Sequence, residues 1–401
     1  MKTLGVIIFT LIQLNFFGLF NYLYVTYIIS IYFIYLFVVD VWIKQKFDKY
    51  LTLSFSMIMI GLILSMISSN HYEGSKYWDV FRSYQFIFSI LYFVFLARKK
   101  TSKRDFEKAL EILCLLFGSF YVLQFILYQM GYSMLATSSD NFDSGLDDRI
   151  RIIGSALSSL GYFYGLCRIW ACRGRKNINY TLLILGLSIT LLMAFRTMIV
   201  GLLLGTIVLA IKMKGFVSGT VRTLIISGFL GCALYCIPIV QQKVDYMVAK
   251  QQGDENFDND DYIRLINLDY HLNEYFQSDV EYFLGSGINR NPKSSLYVKN
   301  DDLAEMHMDW VDWGIFGLSW MVGTLTVIGM LFYSLYVICR KYPKEAQYIP
   351  VFFIYLLMIS ITTNEFARTG NFVVQALVLY ISYIYNKENK SLNENRNCYI
   401  S

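Results

Sequence analysis

The sequence predicts an all-α, polytopic integral membrane protein of about twelve transmembrane helices with one large external loop, and three observations predict it. Apolar residues make up 56% of the 401 residues and charged residues only 16%, which excludes an ordinary soluble protein. Long runs of Leu, Ile, Phe and Tyr with only four prolines suit helices that satisfy their own backbone in lipid, whereas outer-membrane barrels read as short alternating strands. Lys and Arg cluster in alternate connections between these runs. The formal net charge of +5 is small for this length and gives nucleic-acid binding no support. The aromatic share of 17% fits interfacial rings and sugar stacking equally and decides neither.

A helix needs about 20 apolar residues to cross roughly 30 Å of hydrocarbon. Counted against that length, spans fall at 3–20, 22–43, 51–69, 77–96, 108–131, 151–171, 179–194, 197–212, 220–240, 310–338, 347–363 and 371–385. The first run follows only Lys2, lacks a small-residue cleavage site and is succeeded at once by a second, so it reads as a span and not as a cleaved signal. Residues 180–212 are apolar apart from Arg196 near the middle. A single helix there would be about 50 Å long, so two short spans with Arg196 at their turn fit better. Alternate loops then carry Lys44, Lys46 and Lys49, then Arg98, Lys99, Lys100, Lys103 and Arg104, then Arg173, Arg175 and Lys176. Lys212, Lys214 and Arg222 follow, and finally Arg340, Lys341 and Lys344. The positive-inside rule places both termini in the cytoplasm. The chain divides into spans one to nine (1–240), an external loop (241–308), spans ten to twelve (309–386) and a polar cytoplasmic tail (387–401).

The external loop contains QQGDENFDNDD and is too long for a passive connection. Residues 260–277 alternate with helical period, with Leu265, Leu268, Leu272 and Tyr275 on one face and Arg264, Asn267, His271 and Glu274 on the other. The expectation is a helix lying on the membrane, its polar stripe solvated or touching a sugar. None of the seven cysteines falls in this loop, so no disulfide framework is implied, and Cys232 and Cys236 read as small packing residues. Gly154, Ser158, Gly161 and Gly165 share one helical face, and Gly201 and Gly205 make another small surface; both predict close helix packing.

Arginines in or beside spans are costly unless they face a polar cavity. Arg82 lies inside span four, Arg149 and Arg151 open span six, Arg196 stands between spans seven and eight, and Arg368 precedes span twelve. Arg264 and Arg290 are in the external loop. All seven belong to one side. Each has a bland reading, snorkelling or local pairing, as Arg368 with Glu365 or Arg149 with Asp147 or Asp148. Arg82 and Arg196, embedded in apolar segments, point more strongly to a polar cavity. The planar guanidinium fork matches phosphate oxygens, so a pyrophosphate at the lipid boundary is a sensible ligand.

The segment DDLAEMHMDWVDWGIFGL places Glu305, His307, Asp309 and Asp312 beside Trp310 and Trp313. Carboxylates at a helix start and interfacial tryptophans have structural readings. A histidine or carboxylate here could also deprotonate a sugar hydroxyl, which makes His307 and Glu305 candidates.

The order of DRIRIIGSALSSLGYFYG, MAFRTMIVGLLLG, RLINLDYHLNEYFQSDVEYFLGSG and MHMDWVDWGIFGL over residues 148–318 resembles the bacterial O-antigen polymerase (Wzy) and O-antigen ligase superfamily. Phe195 stands where many relatives have serine, and Met308 follows His307 where ligases commonly have asparagine, which favours polymerase. The resemblance implies a GT-C-like helical fold in the bacterial cytoplasmic membrane and a metal-independent glycosyltransferase without cofactor. Its substrate would be undecaprenyl-pyrophosphate-linked oligosaccharide, joined on the external face into O-antigen or capsular polysaccharide, with a chain-length regulator as a candidate partner. Arg149, Arg151 and Arg196 would hold pyrophosphate, Arg264 and Arg290 would contact substrate, and His307 would sit at the acceptor. Arg82 and Arg368 complete the expected anion-binding rim. The competing readings are a flippase for the same lipid-linked sugar, which midplane charges and paired broken helices would support, a ligase, and a structural or sensory membrane protein.

Overall fold

The structure, a computed structural model, describes residues 1–16, 23–132, 153–193, 196–215, 241, 245 and 263–398, and among them every regular element is helical. In chain order these are α1 (Thr3–Gln13), α2 (Leu23–Phe37, continued as a π-helical turn to Ile43), α3 (Lys49–Glu73), α4 (Tyr77–Ser83), α5 (Gln85–Phe88) and α6 (Tyr92–Lys99). Next come α7 (Lys103–Gln129), α8 (Ala156–Trp170), α9 (Lys176–Leu192) and α10 (Arg196–Lys214). Three short helices, α11 (Ile263–Asn273), α12 (Asp279–Leu284) and α13 (Ser295–Glu305), form a cap. The chain ends with α14 (Gly314–Val322), α15 (Thr324–Ile338), α16 (Tyr348–Ile359) and α17 (Asn371–Cys398).

Among the described residues, four helices are long and apolar enough to cross a membrane: Thr26–Ile43, Lys49–Glu73, Lys103–Gln129 and Arg196–Lys214. A pair bent by 50°, Tyr77–Ser83 with Gln85–Lys99, would make a fifth. This corrects the expectation of twelve. The helix α8 has 15 residues and α16 has 12, about 22 and 18 Å, short of the hydrocarbon thickness. Every residue of α8 from Ala156 to Cys167 is buried. A helix enclosed by other helices is apolar all round without having to reach across, and hydropathy counts it as a span. The expected span at 220–240, with Cys232 and Cys236, lies outside the described residues, as does QQGDENFDNDD.

Small residues let the central helices approach closely, as their spacing predicts. A Cβ added at Gly186 would stand 2.7 Å from the Ser158 carbonyl oxygen, and one at Gly165 would stand 2.6 Å from that of Asn179, so α8 and α9 touch backbone to backbone. Gly201 faces Ile359 and Tyr355 of α16, and Gly205 faces the Phe163 ring.

Two apolar runs are broken, and both breaks meet the same piece of the cap. The first lies at Tyr84, whose hydroxyl shares a 2.6 Å hydrogen bond with Ser65 of α3. The second lies at Gly323, with φ +85°. That break frees the carbonyls of Trp320 and Met321, and the amides of Ser286 and Gly287 donate to them at 3.0 and 2.8 Å. Ser65 Oγ donates to the Met321 carbonyl at 3.0 Å as well. Further along the same segment, the Arg290 amide donates to Ser83 Oγ at 3.1 Å, and Asn291 donates to Asp79 at 2.9 Å. Residues 286–291 thus supply donors at both interruptions, as irregular backbone inside an apolar protein requires.

Ion pairs tie the end of the bundle opposite the cap. Opposite the cap, Arg98 and Lys46 flank the buried Asp40, Arg168 pairs with Glu107, Arg173 with Glu345 and Arg340 with Asp48. Lys46, Arg98, Arg173 and Arg340 come from the clusters that the sequence assigns to one side. The helices are those of a membrane-associated protein.

Candidate functional site at the capped end

Contacts place the start of α8, the start of α10, the turn after α16 and the start of α17 at the capped end. The Gly154 amide donates to the Thr369 carbonyl at 3.1 Å, and Ile315 donates to that of Ser360 at 2.7 Å. Gly201 lies level with Ile359, the last residue of α16, so Arg196 stands more than a turn further toward this end.

The predicted arginines fall into three settings. Arg82, half-buried on α4, donates from Nε to Tyr27 Oη at 3.0 Å and lies over the same ring at 5.2 Å. Asp79 is one turn before it, an acid within helical reach that the apolar reading of this segment passes over; Asp79 accepts from Asn291. Arg290 is exposed, its backbone tied to Ser83 and its guanidinium 5.9 Å from the Phe86 ring. Arg82 and Arg290 therefore share the surface of α4 and α5. Phe86 in turn lies 6.0 Å from Phe372 of α17.

Arg368 and Arg196 belong to the second setting, at helix starts. Arg368 pairs with Glu365 at 2.6 Å. Glu365, only 2% exposed, also accepts from Ser155 Oγ and, at 3.1 Å, from Asn371. The Asn371 side chain in turn accepts from the Ala156 amide at 3.1 Å, capping α8. Arg196 is the half-buried first residue of α10. Arg149 and Arg151, expected to open span six, lie outside the described residues.

The third setting is the cap. Arg264, Glu305 and His307 are exposed. His307 has φ +59° and ends α13: its amide donates to Ala304 and that of Met308 to Leu303, a Schellman arrangement in which the left-handed position is usually glycine. Asp309 then accepts from the Val311 amide at 3.0 Å and starts the 3-10 turn that holds Trp310 and Trp313.

The two faces of α11 follow the expectation only in part: Arg264 and Glu274 are exposed and Tyr275 is buried, but two polar residues lie inside and two leucines outside. His271 and Asn267 are fully buried, while Leu265 and Leu272 are nearly half exposed. His271 stacks between Tyr275 and Trp320 at 4.8 and 4.9 Å. Its Nδ1 lies 2.9 Å from the Asn267 carbonyl, and Nε2 has no partner. Burial pushes its pKa below the ordinary histidine value, aided by the nearby Lys299 charge and opposed by the carbonyl bond, so the ring is neutral with its proton on Nδ1. Period fixes that two faces exist, and a protein interior can take the polar one when its groups find partners.

The structure also assembles residues that the motif search leaves out. Glu73 ends α3, Glu281 lies in α12 and Lys299 in α13. Lys299 donates to Glu73 at 3.0 Å and to the Tyr275 carbonyl at 2.7 Å. A groove of about 680 Å³ opens beside them, lined by Tyr270, Lys293, Ser294, Lys299, Asp302 and Met306 among others, with no arginine in its wall.

No protein-family model matches the chain, and neither the curated proteins nor the solved structures yield a match.

Proposed function

We propose that this chain is a polysaccharide polymerase, a metal-independent glycosyltransferase that joins lipid-pyrophosphate-linked oligosaccharide units on the external side of a bacterial cytoplasmic membrane. The observation that carries the reading is the gathering of Arg82, Arg196, Arg290 and Arg368 at one end of an apolar helical bundle, under a polar cap bearing Glu305 and His307. An acceptor hydroxyl attacks the anomeric carbon of the growing chain, its bond to the lipid pyrophosphate breaks, and the hydroxyl proton passes to a base. Guanidinium groups stabilise the charge that collects on the departing pyrophosphate. Arg149, Arg151 and Arg196 are assigned to the pyrophosphate, Arg82, Arg264, Arg290 and Arg368 to the substrate, and His307 with Glu305 to the acceptor.

The paired broken helices favour a second reading, a flippase for the same lipid-linked sugar, because discontinuous helices commonly frame transported ligands. Incubating purified protein with a short lipid-linked repeat unit separates the two. A ladder of longer products identifies a polymerase, unchanged lipid moved across vesicles a flippase, and transfer to a second acceptor a ligase. Arg196→Ala is expected to leave a folded protein with almost no chain extension; wild-type chain length in that variant removes Arg196 from the site.

A further inference from the structure

Glu281 is 0% exposed and Glu73 9% exposed, and a single cation, Lys299, serves both. Glu281 Oε2 accepts from the Gln277 amide at 2.7 Å, and the Glu281 amide donates back to Ser278 Oγ, so its backbone and one carboxyl oxygen are fixed. Its second oxygen, Oε1, is buried with no hydrogen-bond donor, and the Glu73 carboxyl is close enough to interact with the Glu281 side chain. Two acceptors can bond to each other only if one carries a proton. Glu73 is the last residue of α3, so this contact, with Gln277 donating to the Tyr72 carbonyl at 2.8 Å and Ser295 to the Glu73 carbonyl at 3.0 Å, fastens the cap to the bundle.

We propose that Glu73 and Glu281 form a buried proton-binding site that holds the cap against the end of α3. Lys299 neutralises the one remaining negative charge, and its ammonium lies 3.9 Å over the Tyr275 ring, which closes the site from the α11 side. Tyr270 and His271 are the other titratable groups facing it from that side, and Glu274 lies beyond Tyr270. Burial, reinforced by the Glu73 charge, raises the Glu281 pKa from 4.5 to about 7, against the lowering effects of the Gln277 amide and Lys299. A raised carboxyl pKa means that the docked cap binds a proton the released cap gives up. Docking is therefore complete below the ordinary glutamate range and weakens as pH rises toward 7, levelling off above it.

The test is amide exchange of the full chain in detergent or nanodiscs, measured at pH 5 and pH 8 and corrected for the intrinsic pH dependence of exchange. Segment 277–300 is expected to open at least about tenfold more at pH 8, with α8 and α9 unchanged. Glu281→Gln supplies a neutral donor and should abolish this dependence while keeping the cap docked. Glu73→Gln should move the transition to lower pH, because the Glu281 carboxylate then faces Lys299 alone. Equal opening at both pH values in the wild type, or an unaltered pH response in Glu281→Gln, overturns the proposal, and neither outcome depends on the enzymatic reading.

Discussion

Glu365 ties more of the capped end together than any of the cations that drew attention to it. It receives Arg368, Ser155 and Asn371, and through Asn371 it fixes the start of α8. Replacing it with Gln keeps the shape but removes the ion pair, which should cost about 1–3 kcal/mol and lower the thermal midpoint in detergent. The Arg368–Glu365 pair was legible because three residues on one turn bring side chains together. Ser155 and Asn371 were not, since |i−j| is 210 between Ser155 and Glu365. The same distance in sequence hides Lys299 and Glu73, 226 residues apart. His307 carries two demands, a left-handed backbone and, under the proposed function, contact with the acceptor. Glycine meets the first better than histidine does, so His307→Gly should fold at least as stably while losing chain extension in the lipid-linked assay. Retained extension removes His307 from the acceptor role.

At the scale of elements, the apolar segments that hydropathy marked are helical where they are described, though several are too short or broken to span, and helix ends follow from capping chemistry. Asp48 and Ser102 cap α3 and α7, and Gly74 closes α3 at φ +62°. The breaks at Tyr84 and Gly323 were invisible, because WMVGTLTV is as apolar as any continuous helix and a lone glycine is tolerated inside one. What decides the break is the partner, the 285–287 segment, which fills the gap only in the folded chain. Gly287 has φ +87°, and a Cβ there would stand 2.5 Å from Ser69 Oγ. Gly287→Ala should therefore destabilise by about 1–3 kcal/mol, read as faster exchange of the Trp320–Gly323 amides.

At the scale of the molecule, α12 presents apolar residues on the outside of the cap. Phe283 is 59% exposed and Val280 54%, on a helix packed against α3. The outward residues of α3 itself, Ile60, Ile63 and Ile67, repeat every three to four positions, the spacing of one helix face. These apolar residues should sit in lipid. Phe283→Trp in vesicles of brominated lipid should be quenched, and Val298→Trp, on the groove-lining helix, should be quenched much less. Equal quenching at the two positions would mean that the cap stands clear of the bilayer.

The hydrogen bonds from Ser286 and Gly287 to Trp320 and Met321 impose an order on biosynthesis. The donors leave the ribosome before their acceptors do, while α3 and α4, which form the other wall, are already in place. Until α14 emerges these amides lack their acceptors, so a nascent chain stalled with Trp320 still inside the ribosome and Gly287 outside it would leave them open to proteolysis. One stalled late enough for Gly323 to have left the ribosome would be protected.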